Sequence, residues 1–271
     1  MADPYIKQYL MTAGPTPLPP AVTQVMAQPM LYHRAPAFVE VFARALERLP
    51  PVFGTQGDVL VFASSGTGAM ESAVANLIAP GDAALVASCG KFGERFAELC
   101  DAYGAATQHE DFGWGNKVDP AGLDRLLAES PDVEVVFTTL SETSTGVVND
   151  VRALAEVAHS HGALIAVDAI SAAGAIPVCQ DEWGLDVVVA GSQKALMAPP
   201  GLGFASPNER ALAHAAERPG RRYYFDWQRT LDGQRKDPPD SAFTPAVSVV
   251  QALDVALGLI EEEGLESVFE R

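Results

Sequence analysis

Asp186-Val187-Val188-Val189-Ala190, followed by Gly191-Ser192-Gln193-Lys194-Ala195-Leu196-Met197-Ala198-Pro199-Pro200-Gly201-Leu202-Gly203, is the stretch from which the fold can be read. The first five residues form a short apolar run bounded by a turn, the pattern of a buried strand. A polar turn then sets a lysine at the strand's end. The prolines and glycines beyond it fix the backbone and remove side-chain bulk, as a loop pressed against a ligand requires. A lysine so placed loses hydration, which lowers its pKa and frees neutral amine to condense with an aldehyde. The other reading of a lone loop lysine is a solvated surface charge. No acidic residue lies within several positions of Lys194, and that favours the reactive amine.

Outward from this stretch the chain alternates strand and helix from Val59 onward, which calls for an α/β fold with a mainly parallel sheet between helices. Strands are expected at residues 59–63, 84–87, 133–138, 163–167, 186–190 and 203–205. Helices are expected at residues 70–78, 92–103, 120–129 and 151–161, closed by Pro80-Gly81, Gly104, Pro131 and Gly162 respectively. Before them, Leu10 to Pro20 is too proline-rich for helix and reads as an irregular arm. Val22 to Met30 suits a short helix, and Phe38, Val39, Phe42, Leu46 and Leu49 recur at helical spacing after Pro36. The expected organisation is an arm over residues 1–20, a large domain over 21–246 and a further helix over 247–271.

The 271 residues are 48% hydrophobic and 20% charged, the composition of a globular chain. No apolar run approaches bilayer length, and the N-terminus lacks a charged-then-apolar leader, so the chain reads as cytoplasmic. A net charge of −17 repels both a phosphate backbone and an anionic membrane, which makes nucleic acid and membrane poor partners. Cys89, Cys100 and Cys179 form no C-x-x-C pair and have no histidine at ligand spacing, so no disulfide framework or metal site is expected. His159 and His161 read as helix-end or surface features.

In open sheets of this kind ligands bind beyond the carboxyl ends of the strands. Ser65-Gly66-Thr67-Gly68, Ser88 to Phe92, Ser141 to Gly146, Asp168 and Lys194 all fall there. Ser64 to Glu71 is a small-residue turn entering a helix, where free amides, the helix dipole and the Ser65 and Thr67 hydroxyls suit a phosphate. It lacks the lysine of a Walker loop and is not G-x-G-x-x-G. A plain helix cap explains the same residues. Asp168, leaving a buried strand, needs a partner, and either a protonated ring nitrogen or nearby backbone amides would serve.

Taken together, Leu10-Met11-Thr12-Ala13-Gly14-Pro15, Ser65-Gly66-Thr67, Gly90-Lys91-Phe92-Gly93, Glu142-Thr143-Ser144-Thr145-Gly146, Val167-Asp168-Ala169 and Gly191 to Leu196 resemble the class V aminotransferases of the alanine–glyoxylate and serine–pyruvate group. The motifs run in the family's order over nearly the whole chain. The resemblance implies a fold-type-I large domain with a seven-stranded-type sheet, a homodimer, and pyridoxal 5′-phosphate held by Lys194 as a Schiff base. It also implies that Asp168 keeps the pyridine nitrogen protonated, that Phe92 stacks on the ring, and that Thr143 lies near the phenolic oxygen. Ser65, Gly66, Thr67 and Gln193 would hold the phosphate, with Thr244 reaching the partner subunit's site. The implied reaction moves an amino group from alanine or serine to glyoxylate or pyruvate, with the Lys194 amine carrying the proton.

Members of the family usually continue into a small domain that supplies an arginine for the substrate carboxylate, and no residue here matches it. Arg34, Arg221 and Arg222 are the basic residues to compare with a bidentate clamp. Two other readings stay open. One is a non-catalytic cofactor-binding scaffold or fragment. The other is a lyase such as a cysteine desulfurase, which would place histidine before the lysine and an imidazole over the ring, where this chain has Gln193 and Phe92.

Overall fold

A computed structural model describes residues 10–218 and 222–271. Two helices come first, α1 (Pro20–Met26) and α2 (Pro36–Phe53). β1 (Leu60–Phe62), α3 (Gly66–Leu77), β2 (Ala83–Ser88), α4 (Lys91–Ala102) and β3 (Ala106–Asp111) follow. Next are α5 (Pro120–Glu129), β4 (Val133–Thr139), the hairpin of β5 (Ser141–Glu142) and β6 (Val147–Val148), α6 (Val151–Ser160) and β7 (Leu164–Asp168). The remainder is α7 (Gln180–Trp183), β8 (Val187–Gly191), β9 (Gly203–Pro207), α8 (Glu209–Glu217), α9 (Trp227–Gln234), α10 (Val247–Glu263) and α11 (Leu265–Glu270).

Seven strands form one sheet in the order β1-β9-β8-β7-β4-β2-β3. β8, β7, β4, β2 and β3 pair in parallel, whereas β9 runs antiparallel to both its neighbours. β7 and β8 are buried at every position, as parallel strands covered on both faces must be. Alternate residues feed opposite cores. Val136, Ile165, Val167 and Val188 join one that includes residues of α2, α6 and α10. Val135, Ala166, Val187 and Val189 join the other, with α3, α4 and α9. This two-sided burial is the main source of stability, at roughly 25 cal/mol per Å² of apolar surface removed from water.

Caps set the helix starts. Asp119, Asp150 and Asn208 accept hydrogen bonds from first-turn amides of α5, α6 and α8. α1 stops at Met26, short of the expected Met30, because Pro29 disfavours helix at the residue before it. α2 runs past Leu49 through Pro50 and Pro51 to Gly54, whose φ of +62° ends it. The edge strand β3 and the β5–β6 hairpin were not expected from the sequence, and neither were α7, α8 and α9, while the helix expected over 247–271 is broken at Gly264 into α10 and α11. α10 packs against α1 and α2 and contributes Val250, Leu253 and Leu257 to the core. No helix among the described residues is long and apolar enough to cross a membrane.

Candidate functional site

Asp168 is the last residue of β7 and Lys194 follows β8 by three residues, so two adjacent parallel strands deliver both to one end of the sheet. Asp168 is 4% exposed, and its Oδ1 accepts a 2.7 Å bond from the Ile170 amide. Its other oxygen has no donor among the described residues. Burial pushes the Asp168 carboxyl up to about 7; the Ile170 amide opposes this, the Glu142 charge adds to it, and the Arg95 and Lys194 charges oppose it. Burial also lowers the pKa of Lys194, against the pull of Asp168. Lys194 Nζ donates to the Ala13 carbonyl at 3.0 Å and has no ion-pair partner among the described residues.

The lysine loop is pinned from within and from outside. Ser192 Oγ donates to the Pro199 carbonyl at 2.6 Å and accepts from the Leu202 amide at 3.2 Å. The N-terminal arm crosses it: the Thr16 amide donates to Gln193 O at 3.0 Å and Thr16 Oγ1 to Lys194 O at 2.9 Å. Gly14, at φ +148°, lies against the lysine stem, where a Cβ would stand 2.9 Å from Nζ. Only glycine lets the arm come this close.

The Ser65 side chain caps α3 through the Gly68 amide at 3.4 Å, leaving Gly66 and Thr67 in the first turn. Gly66 lies beside Ile170 and, across Gly191, beside Gln193, whose Oε1 is buried without a hydrogen-bond partner. Thr67 Oγ1 accepts from Arg95 Nη1 at 3.2 Å, and the Arg95 guanidinium stands 4.9 Å from the Phe92 ring centre. Thr143 Oγ1 and Ser171 Oγ are 2.5 Å apart.

Glu142 ties these walls together. It is fully buried and lacks an ion-pair partner among the described residues. Its Oε2 accepts from the Phe92 and Gly93 amides at 3.0 and 3.1 Å, at the positive end of α4. Oε1 accepts from the Ser144 amide and hydroxyl at 3.1 and 2.6 Å. Gly90 permits the approach, since a Cβ there would meet Glu142 Cγ at 2.6 Å.

Arg95 thus joins Thr67 to Phe92, Ser65 and Gly66 begin the helix beside Gly191 and Gln193, Asp168 and Lys194 end adjacent strands, and Thr143 meets Ser171. Thr244 is not among them: it is exposed, without a side-chain hydrogen bond among the described residues, in a cleft shared with Ala63 and Leu202. It lies before α10 and does not cap it, since Ala246 holds that position. Arg222 donates to the Ala215 and Arg218 carbonyls at 2.8 Å each, so its guanidinium closes α8. Arg34 is exposed beside a cleft with Asp226 and Asp240, and Arg221 lies outside the described residues. Sequence reasoning missed the roles of Glu142, Arg95, Ser171 and Thr16, although the quoted motifs contain Glu142 and end two residues short of Arg95.

The sequence profile described as "Aminotransferase class-V" matches residues 8–271. The chain is 40% identical over 271 residues to the "Soluble hydrogenase, small subunit" of a Synechococcus species, covering 98% of this chain and 69% of the relative. It is 34% identical to the serine–glyoxylate aminotransferase of Methylorubrum extorquens, covering 98% of this chain and 68% of that one. The crystal structure of ureidoglycine–glyoxylate aminotransferase from Bacillus subtilis superposes with a TM-score of 0.90 at 30% identity, over 98% of this chain and 70% of that one.

Proposed function

The chain belongs to the class-V aminotransferases, and from that premise we propose that it moves an amino group from alanine or serine to glyoxylate or pyruvate with pyridoxal 5′-phosphate bound at Lys194. The observation that carries the reading is the Lys194–Asp168 pair: an amine whose proton affinity is lowered and a carboxyl whose proton affinity is raised, at the ends of adjacent strands. The polar groups left over fit the cofactor. The second Asp168 oxygen lacks a donor among the described residues, as an acceptor for a protonated ring nitrogen should. The α3 start offers amides and hydroxyls to an anion.

When bound, the cofactor supplies an aldehyde that condenses with amines and a ring that accepts the electron pair released at the substrate α-carbon. Lys194 Nζ would be the attachment point and the base for the substrate α-proton. Burial lowers its pKa, which raises the fraction of neutral amine above that of an exposed lysine at the same pH. Asp168, through the oxygen that Ile170 leaves free, would hold the proton of the ring nitrogen. Phe92 would cover one ring face, Thr143 would lie near the phenolic oxygen, and Ser65, Gly66, Thr67 and Gln193 would hold the phosphate, Gln193 through its amide NH2. The relative named serine–glyoxylate aminotransferase and the neighbour named ureidoglycine–glyoxylate aminotransferase support a small 2-oxo acid as acceptor.

A homodimer belongs to the same proposal. Tyr223 and Tyr224 are exposed and pack on Phe243, with ring centres 5.6 and 4.9 Å from it, beside Thr244. That aromatic patch suits burial against a second copy that receives Thr244 at its phosphate. A cytoplasmic location accords with small metabolite substrates.

The test is borohydride reduction of the chain with pyridoxal 5′-phosphate, followed by peptide mass mapping. The label is expected on Lys194 and lost in Lys194→Ala; a label elsewhere, or one that survives the substitution, sinks the assignment. The cofactor absorbance should then change on adding alanine or serine and return with glyoxylate or pyruvate. A spectrum indifferent to all four removes the proposed substrates.

A further inference from the structure

We infer that Arg95 is a positioning residue of the anion subsite at the start of α3, acting through the Thr67 hydroxyl on a phosphate monoester; this rests on the cofactor reading above. Arg95 sits one turn into α4 and is half-buried, yet no carboxylate lies within ion-pair distance of it among the described residues. Its contacts are instead two side chains of the candidate site, Thr67 Oγ1 at 3.2 Å and the Phe92 ring at 4.9 Å. A surface arginine held only for solubility has no reason to be so placed.

The direction of the Thr67 bond carries the chemistry. A guanidinium only donates, so Thr67 Oγ1 accepts. A hydroxyl has one hydrogen, and with a lone pair engaged by Arg95 that hydrogen is left to donate elsewhere. Thr67 lies in the first turn of α3, where the amides of that turn have no partners within the helix. The hydroxyl hydrogen and those amides together make an array of donors, and the nearby guanidinium adds a positive charge that favours a dianion over a neutral alcohol. Without Arg95 the hydroxyl can rotate and present a lone pair to the anion instead.

The contact with Phe92 works in the same direction. Arg95 occupies one face of that ring, which leaves the opposite face for a planar ligand. One side chain therefore biases both ends of a phosphorylated aromatic aldehyde. It sets a donor for the phosphate and a free face for the ring.

The test compares pyridoxal 5′-phosphate with pyridoxal, which lacks the phosphate, by equilibrium dialysis against wild type, Arg95→Met, Arg95→Lys, Thr67→Val and the Arg95→Met/Thr67→Val double variant. Arg95→Met should weaken binding of the phosphorylated ligand by about tenfold or more, as expected for loss of a charge-assisted bond, and of pyridoxal by less than about twofold. Arg95→Lys should recover most of the preference for phosphate. In the Thr67→Val background the Arg95→Met change should cost less than about threefold. Equal losses for both ligands, a lysine no better than methionine, or full additivity in the double variant each overturn the inference. If wild type binds neither ligand, the cofactor reading fails and this inference fails with it; if wild type binds and Arg95→Met matches it, only this inference fails.

Discussion

At Asp168 the folded chain holds a carboxyl whose proton affinity burial has raised from 3.8 to about 7, and this makes the stability of the cofactor-free protein depend on pH. Because the folded value lies above the unfolded one, the contribution is fully present below about pH 4 and is lost as pH rises through about 7. The rise corresponds to on the order of 4 kcal/mol. Asp168→Asn keeps an acceptor for the Ile170 amide but cannot ionise. Urea unfolding should therefore show the variant gaining on wild type between pH 4 and pH 8, with a constant difference refuting the assignment. Lys194 is displaced the other way, so its amine should react with a small aldehyde at a lower pH than the chain's exposed lysines do. Gly14→Ala should slow or misdirect that reaction, because the new methyl group meets the lysine stem. The modification rate at Lys194, followed by peptide mapping, reports it.

The elements that carry these residues depend on contacts of very different range. Glu142 joins the β5–β6 hairpin to the start of α4 with four accepted hydrogen bonds. Glu142→Gln sets an amide donor against amide or hydroxyl donors, and should cost about 2 kcal/mol in the denaturant midpoint. A variant as stable as wild type would show that the junction does not need the carboxylate. The strands beneath were readable in advance, since Val187 to Ala190 and Leu164 to Val167 are continuous apolar runs that only a covered sheet accommodates. Lys194 and Asp168 were readable because each ends such a run. β3 was not, because Ala106 to Asp111 is a half-exposed edge strand whose polar residues carry no periodic signal. Glu142, Arg95 and Ser171 escaped for a related reason. Their partners lie 49, 28 and 28 residues away, and one chain read locally contains nothing that joins them.

Across the whole molecule the sheet separates a chemical end from a structural one. Asp186, fully buried just before β8, accepts from the Ile165 amide at 2.9 Å and from Asn208 at 3.0 Å. It also pairs with His159 at 2.9 Å and Arg210 at 3.3 Å, all at the opposite end of the strand from Lys194. Asp186→Ala leaves those donors without their acceptor and should lower stability by about 3 kcal/mol. Affinity for pyridoxal 5′-phosphate, measured well below the melting temperature, should change little. A large loss of affinity at full foldedness would mean the two ends are coupled through β8.

The arm that crosses the lysine loop also fixes an order of assembly during biosynthesis. Thr16 leaves the ribosome 178 residues before the Lys194 carbonyl that it will hold. At about 5–20 residues per second that is a wait of roughly 10–40 s. The prolines at 15, 17, 19 and 20 suit the wait, because they keep the waiting segment from folding into a helix of its own. The arm is made before the lysine loop, but it can be seated only after that loop exists.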